Sequence, residues 1–430
     1  MSNPDLRRAR STPPHTMRRW PLPRSTSAMI EQLRAELGTG KCDVERFADR
    51  LRREGTPIIE PDDQAGWARY TFVWIGPTDH GIVLQLNHVS DPLDVEDTML
   101  ERIEGSHVHA LTLRLPDYWQ GSYLFSELPR RIAPTLHRGV DLDVRAQLMA
   151  HARADPFARE HMPSKPTDAS MNLSIPAFAV ARGPKASALR MWKKEPLRTV
   201  PLPSIASPVT GSPLKLHRWS SPGVGPETPA VLLTDGEVWA ERFPVAAEIS
   251  ARLGRGEFPP VHVVFLESGG PRQRAVDYTA GSTQQRLLLE GVRESIGVDL
   301  PPGRLIVAGQ SFGGLFAMLA ATRHPDLVLG AVAQSPSLWW PSPLTPWDPR
   351  GTTWFDEQAV RAAPGAPVLL EVGALEHVLT DRVRAAAALL ETRDALIGAA
   401  EHPGGHDVLQ WQTTIVDHLH QAIEATRFQK

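Results

Sequence analysis

The chain has 430 residues, 41% of them hydrophobic and 22% charged, with a formal net charge of −3. That length exceeds what one core usually organises and predicts two domains, while the balanced charge excludes a protein built to grip nucleic acid or an acidic membrane. Cys42 is the one cysteine, which excludes an intrachain disulfide and a zinc site made of cysteines, and suits a reducing compartment.

Residues 1–27 are rich in Arg, Pro and Ser and are expected as a flexible tail. They lack the apolar run of a secretory signal, and no stretch approaches the roughly 18 apolar residues that cross a bilayer, so the expected location is cytoplasmic. Met29, Ile30, Leu33 and Leu37 recur at helical spacing ahead of Gly38 and Gly40, which predicts a short amphipathic helix. The period then drops to two in residues 70–75, 82–86, 107–115 and 121–125, separated by Pro, Gly and Asp. These strands predict a small β-sandwich over residues 28–162. Residues 163–226 are Pro-rich with only brief apolar runs and read as the domain linker. From 227 to 430, short apolar strands at 230–233, 261–266, 305–308, 329–333 and 368–372 alternate with helical stretches such as 312–323 and 381–390. Apolar strands between helices predict a parallel sheet covered on both faces, so the fold class is α/β, a doubly wound sheet behind an N-terminal accessory β-sandwich.

Gly309-Gln-Ser311-Phe-Gly313 comes directly after the strand ending at 308 and directly before a helix. That placement predicts a nucleophile elbow, a turn that holds the serine hydroxyl in the open and needs both glycines because side chains there would meet the flanking strand or helix. Ser311 is the candidate nucleophile. The following helix aims its N-terminus at the site, so the N–H of Phe312 can receive a developing oxyanion. A second donor is expected from the loop at 234–239, where the N–H of Glu237 is the candidate. A serine hydroxyl also needs a base, which in this fold follows it in sequence. His406, in Gly404-Gly-His-Asp407 between the last strand and the final helix, meets that need, whereas His402 falls at the strand end and His324 at the end of the elbow's own helix. The carboxylate that orients the imidazole should follow the strand at 368–372. Glu376, in the turn after Gly373, is preferred over Glu371 within the strand and Asp381 at the expected start of the next helix.

These segments resemble the enterochelin esterase family. In the C-terminal half the resemblance is carried by residues 232–239 (Leu-Leu-Thr-Asp-Gly-Glu-Val-Trp), 307–314 (Val-Ala-Gly-Gln-Ser-Phe-Gly-Gly), 334–340 (Gln-Ser-Pro-Ser-Leu-Trp-Trp), 370–373 and 404–407. In the N-terminal half it is carried by residues 72–74, 78–80, 119–123, 154–156 and 187–189, so that it spans roughly residues 65–425. It implies an N-terminal β-sandwich joined to an α/β-hydrolase. It further implies a cytoplasmic serine esterase that hydrolyses the ester bonds of an enterobactin-like, iron-loaded tricatecholate trilactone siderophore to release iron. Ser311 and His406 fall on the family's catalytic serine and histidine, and Glu376 on an acidic position. Thr234, where the family carries an apolar residue, and the loop at 341–355 depart from its pattern.

A ferric tricatecholate is a trianion with aromatic faces, which cations and flat side chains can hold. Arg272 and Arg274, the latter resembling a family basic position, and Trp239 and Trp340, with Trp339 and Trp411 nearby, are the candidate binders. No cofactor is expected, because any iron arrives with the small-molecule substrate, and neither nucleic acid nor a membrane is expected as a partner. Two other readings stay open. One is a serine esterase or acyl hydrolase for another aryl or acyl ester on the same fold. The other is a non-catalytic binding module in which His107 and His109 mark a metal site.

Overall fold

Side-chain caps start the two N-terminal helices: Ser27 accepts from the N–H of Ile30 to open α1 (Ala28–Gly38), and Asp43 accepts from the N–H of Glu45 to open α2 (Val44–Glu54). The structure, a computed structural model, describes residues 23–40, 43–78, 80–87, 89, 95–128, 148–163, 165–168, 173–175, 177–186, 195–297, 304–340, 353–361 and 365–427. Residues 1–22 of the expected tail, Cys42, the segment 187–189 and most of the departing loop, 341–352, lie outside the described residues.

Ten strands follow in the first half: β1 (Ile58–Pro61), β2 (Trp67–Ile75), β3 (Ile82–Leu86), β4 (Glu101–Arg102), β5 (Val108–Pro116), β6 (Gln120–Glu127), β7 (Ala152–Arg153), β8 (Lys165–Asp168), β9 (Leu173–Ile175) and β10 (Ala179–Arg182). One sheet runs β1-β2-β5-β4 and a second runs β10-β6-β3, with β7 also paired to β6. The two-residue period decides what each face meets. Tyr70, Phe72, Leu111 and Leu113 point at Leu84, Tyr123 and Phe125 of the second sheet, while Val73, Val108 and Ala110 turn back onto Ile30, Leu33 and Phe47 of the helices. The result is a sandwich with a helical layer on one outer face.

Residues 163–226, expected as a linker, carry strands of both halves. β10 pairs with β6, with Val180 opposite Ser122. β11 (Val200–Pro201) pairs with β14 (Leu216–Ser220), which joins the C-terminal sheet antiparallel to β16 (His262–Leu266), and β12 (Ile205–Ala206) pairs with β13 (Pro213–Leu214). Proline is tolerated in such short outer strands because no ladder bond is demanded of it there.

The C-terminal sheet continues with β15 (Ala230–Thr234), β17 (Leu305–Gln310), β18 (Val328–Gln334), β19 (Val368–Gly373) and β20 (Leu396–His402), in the order β11-β14-β16-β15-β17-β18-β19-β20, parallel from β16 onward. Its helices are α3 (Val245–Gly254), α4 (Pro271–Tyr278), α5 (Ser282–Ser295), α6 (Phe312–Arg323), α7 (Trp354–Arg361), α8 (Val378–Glu391) and α9 (Val408–Thr426). Leu232, Val264, Val307 and Leu370 pack against α5, α6 and α8, whereas the alternate residues Val231, Phe265, Ile306 and Leu369 pack against α3 and α9. This is the expected doubly wound α/β sheet. From β15 the chain crosses first to β16 on one side and then to β17 on the other, so a crevice opens at the carboxyl ends of β15 and β17. Among the described residues no helix is long and apolar enough to cross a membrane.

Candidate active site

Backbone strain marks that carboxyl edge. Five described non-glycine residues have positive φ, and four of them, Asp235, Ser311, Ser335 and His377, follow β15, β17, β18 and β19. Such conformations persist only where the surroundings overdetermine them.

Ser311 stands at φ 58° and ψ −119°, between β17 and α6. A Cβ on Gly309 would lie 2.5 Å from the backbone of Gly313, and one on Gly313 would lie 3.1 Å from the Thr234 Cβ and overlap its hydroxyl. Thr234 thus closes over the elbow and leaves room only for glycine at both positions. The Ser311 N–H donates to the Gln334 carbonyl at 3.1 Å, its carbonyl accepts from the Ser337 N–H at 2.9 Å, and its Oγ lies 3.2 Å from the Ser337 Oγ. Phe312 begins α6, where first-turn N–H groups have no partner within the helix.

The turn after β19 delivers Glu376, which is fully buried. Its Oε1 accepts from the Gly373 N–H at 2.7 Å and the Ser335 hydroxyl at 2.6 Å, and its Oε2 lies 2.6 Å from the His406 Nδ1. The Ser335 oxygen accepts in turn from the Trp411 Nε1–H at 2.9 Å, and the His406 ring stands edge-on to Trp411 at 4.8 Å. With Nδ1 donating to the carboxylate, the Nε2 of His406 carries the lone pair a base needs. His402 is buried, and that burial pushes its imidazole down to about 4. Asp381 lies on exposed surface 3.6 Å from Arg384, within α8, which begins at Val378, three residues earlier than expected.

A second chain of hydrogen bonds lies alongside. The Trp239 indole donates to Gln310 Oε1 at 2.9 Å, Gln310 donates to Gln334 Oε1 at 2.8 Å, and Gln334 donates to Glu371 Oε2 at 2.5 Å. Thr414 donates to the same carboxylate at 2.9 Å, and burial pushes Glu371 up to about 7.

Before this edge opens a cleft of about 420 Å³, whose walls include Glu237, Trp239, Arg242, Arg274, Phe312 and Trp411. Arg274 faces the cleft, but its guanidinium is held bidentately by Asp235 at 2.5 and 2.8 Å and also donates to the Gln310 carbonyl. Burial opposes its charge, yet Asp235 outweighs that and keeps the guanidinium firmly protonated. Arg272 is exposed at the start of α4. The indole N–H of Trp239 is already taken by Gln310, and Trp340 is buried, edge-on to Phe312 at 5.1 Å. The Glu237 carboxylate accepts from the Ser268 N–H at 3.0 Å and from its hydroxyl, and burial, then Asp235, pushes it upward. Gly236 packs so closely on β16 that a Cβ would lie 2.7 Å from the Leu266 nitrogen.

Arg242, which no sequence pattern singled out, sits in a π-helical turn, Val238–Arg242. Its Nε donates to the Pro163 carbonyl at 2.9 Å, while its buried Nη2 has no hydrogen-bond partner among the described residues. Ser335, Ser337 and Gln334 were visible in the sequence only as a matching string, because their roles depend on which strand lies beside β18. Among the described residues no group of three or more His, Cys, Asp or Glu could hold a metal; His107 is exposed, and His109 is buried near Arg102.

Two family models match the chain, one described as "Enterochelin esterase, N-terminal" over residues 69–192 and one described as "Putative esterase" over residues 218–422. The chain is 25% identical over 420 residues to the iron(III) enterobactin esterase of Dickeya dadantii (strain 3937), covering 89% of this chain and 93% of the relative. It is 26% identical over 407 residues to the iron(III) salmochelin esterase of Escherichia coli O6:H1, covering 90% and 96%. Among solved structures it is similar to a ferric enterobactin esterase from Salmonella typhimurium, with a TM-score of 0.70 at 21% identity over 88% of this chain and 99% of that one. It is also similar to the Shigella flexneri enterobactin esterase determined in the presence of enterobactin, with a TM-score of 0.66 at 22% identity over 87% and 97%.

Proposed function

The chain belongs to the enterochelin esterase family and is a carboxylic-ester hydrolase, and from that premise we propose that it opens an enterobactin-like, iron-loaded tricatecholate trilactone with Ser311 as nucleophile. The observation that carries the reading is the 2.6 Å contact between His406 and the buried Glu376, at the sheet edge where Ser311 is held in a strained turn. Relatives named for enterobactin and salmochelin, matched over most of both chains, support the substrate class. The cytoplasm is the proposed setting.

In this mechanism the Ser311 Oγ attacks the ester carbonyl and passes its proton to the Nε2 of His406, while Glu376 stabilises the imidazolium. The oxyanion is received by the N–H of Phe312, aided by the N-terminus of α6, and by the N–H of Glu237. Collapse breaks the ester C–O bond, and the leaving alkoxide takes the proton from His406. Water, activated by the same imidazole, then hydrolyses the acyl-serine. Phe312 and Trp411 offer flat faces to catechol rings, and Arg242 offers a half-buried cation to their oxygens. Turnover of ferric enterobactin, its linear forms and a simple aryl ester, with products identified by mass spectrometry, tests the reading. A strong preference for the siderophore is expected, and comparable turnover of all three overturns the substrate assignment.

A further inference from the structure

We infer that the N-terminal sandwich is a working part of the catalytic apparatus, clamping the loops of His406 and Glu376, and that Asp407 is a positioning residue for the reaction. The inference rests on the reading of His406 as the base.

Asp407 follows His406 directly and caps α9, its Oδ1 accepting from the Leu409 N–H at 3.0 Å. A cap needs only that bond, and the other oxygen of a capping carboxylate ordinarily faces water. Here the residue is 1% exposed, and its Oδ2 accepts at 2.7 Å from the N–H of Ser122, in β6 of the other domain. Asn87, at the end of β3, adds a side-chain hydrogen bond to the same carboxylate, and its own N–H is tied to the Ser122 carbonyl at 2.9 Å. A buried carboxylate is unfavourable unless its oxygens are satisfied, and here the sandwich supplies the partners. The peptide unit between Asp407 and His406 is rigid and spans about 3.8 Å, so a displacement of one residue is passed to the next.

The acid loop is held from the same side. Leu375, adjacent to Glu376, packs into the sandwich core that contains Phe72 and Tyr123. Its N–H donates to the Gly404 carbonyl at 3.0 Å, which ties the acid loop to the histidine loop. Both partners of the 2.6 Å contact are therefore adjacent to residues anchored on the accessory domain. Misplacement of a catalytic group by about 1 Å can cost about 10²-fold in rate. A sandwich that fixes these loops thus contributes to turnover although none of its described residues lines the cleft.

Asp407→Asn tests this in the full chain. The asparagine keeps Oδ1 for the cap, where it serves as well as aspartate, but sets its NH₂ against the Ser122 N–H. With an activated aryl ester, kcat should fall about 10- to 100-fold with KM within about twofold, since the loss lies in positioning and not in binding. The second measurement is the same substitution in a His406→Ala background, where less than about a twofold further change is expected if Asp407 acts through the imidazole. Wild-type kcat in Asp407→Asn, or an equal loss in both backgrounds, overturns the clamp. Should Asp407→Asn fail to fold, Leu375→Ala carries the same test: a loss of about tenfold in the wild type and none in a Glu376→Gln background supports it, and equal losses refute it. Wild-type turnover of His406→Ala alone would instead defeat the reading of the base, so the two failures are distinguishable.

Discussion

Replacing Glu376 by glutamine separates two accounts of the buried pair. The wild-type carboxylate accepts three hydrogen bonds, from the Gly373 N–H, the Ser335 hydroxyl and the His406 Nδ1. Glutamine keeps an oxygen for the first two and turns an NH₂ toward the imidazole. If the carboxylate merely contributed a charge-assisted bond worth about 1.5–3 kcal/mol, its loss would slow the reaction by roughly 10- to 150-fold. If instead it sets the tautomer, the glutamine NH₂ drives the proton onto Nε2, and the lone pair that should receive the serine proton is gone. That arrangement costs about 10⁴-fold where geometry is otherwise kept, or about 5.5 kcal/mol at 1.4 kcal/mol per factor of ten. The larger loss is the expected outcome in kcat for Glu376→Gln. Glu376→Ala should harm kcat less, because nothing then forces the wrong tautomer, yet harm stability more, because two buried donors lose their acceptor at about 1–3 kcal/mol each. Asp381→Ala, on exposed surface beside Arg384, should leave both unchanged. Steady-state kinetics and thermal unfolding of the three variants decide the matter. Glu376→Gln within tenfold of wild type, or a comparable loss in Asp381→Ala, would refute the reasoning.

Ser311→Ala should lose at least about 10³-fold in ester turnover while retaining substrate binding by fluorescence titration, since the oxyanion donors remain; retained activity removes the nucleophile assignment. Gly309→Ala should cut activity more than tenfold and lower the unfolding midpoint, because the new Cβ meets the Gly313 backbone at 2.5 Å; an unchanged midpoint would mean the elbow yields. Arg242→Gln should raise KM for the ferric siderophore while sparing an uncharged aryl ester, and equal effects on both would deny it a role in charge recognition. Glu371, raised from 4.5 to about 7 by burial, holds its proton in the folded chain at pH values where the unfolded chain has released it, so its contribution to stability falls as pH rises from about 4.5 to about 7. The midpoint of Glu371→Gln relative to wild type should therefore climb between pH 5 and pH 8, and a pH-independent difference would contradict the burial argument.

Where local sterics decide structure, the sequence was readable. The helix expected at 312–323 is α6, and the glycines flanking Ser311 are packed as a strand-turn-helix elbow requires. Glu376 and His406 meet because each follows a strand whose carboxyl end lies at the same sheet edge, and parallel topology makes that convergence inferable. The Pro-rich stretch resisted reading because β11, β12 and β13 are two residues long and owe their existence to partners, not to their own pattern. Val44, Phe47 and Leu51 carry the spacing of α2, but the Arg and Glu between them dilute the apolar signal. Arg274 reads as a free cation until Asp235, 39 residues away, is seen to hold it. Arg242 shows the reverse, an arginine in no motif that the π-helical turn brings to the cleft wall.

The strained residues and the buried amides are parts of one arrangement. Gln310 precedes Ser311 and Gln334 precedes Ser335, so each positive-φ residue leaves the sheet from a position whose side chain is tied to the neighbouring strand. Glu371 completes the row on β19, and Thr414 fastens it to α9 three residues beyond Trp411, whose indole steadies Ser335. A strained φ costs about 1–3 kcal/mol and survives only if relaxing it would break something of similar worth. The hydrogen bonds that tie Gln310, Gln334 and Thr414 into this row, at about 0.5–1.5 kcal/mol each, together reach that size, and an amide left unpaired in the interior costs about 1–3 kcal/mol more. An apolar core at these positions would pack as well but would let Ser311 and Ser335 slide toward ordinary backbone angles. This polar row stiffens the sheet edge that carries Ser311 and Ser335, and it explains why two glutamines occupy the ends of otherwise apolar strands.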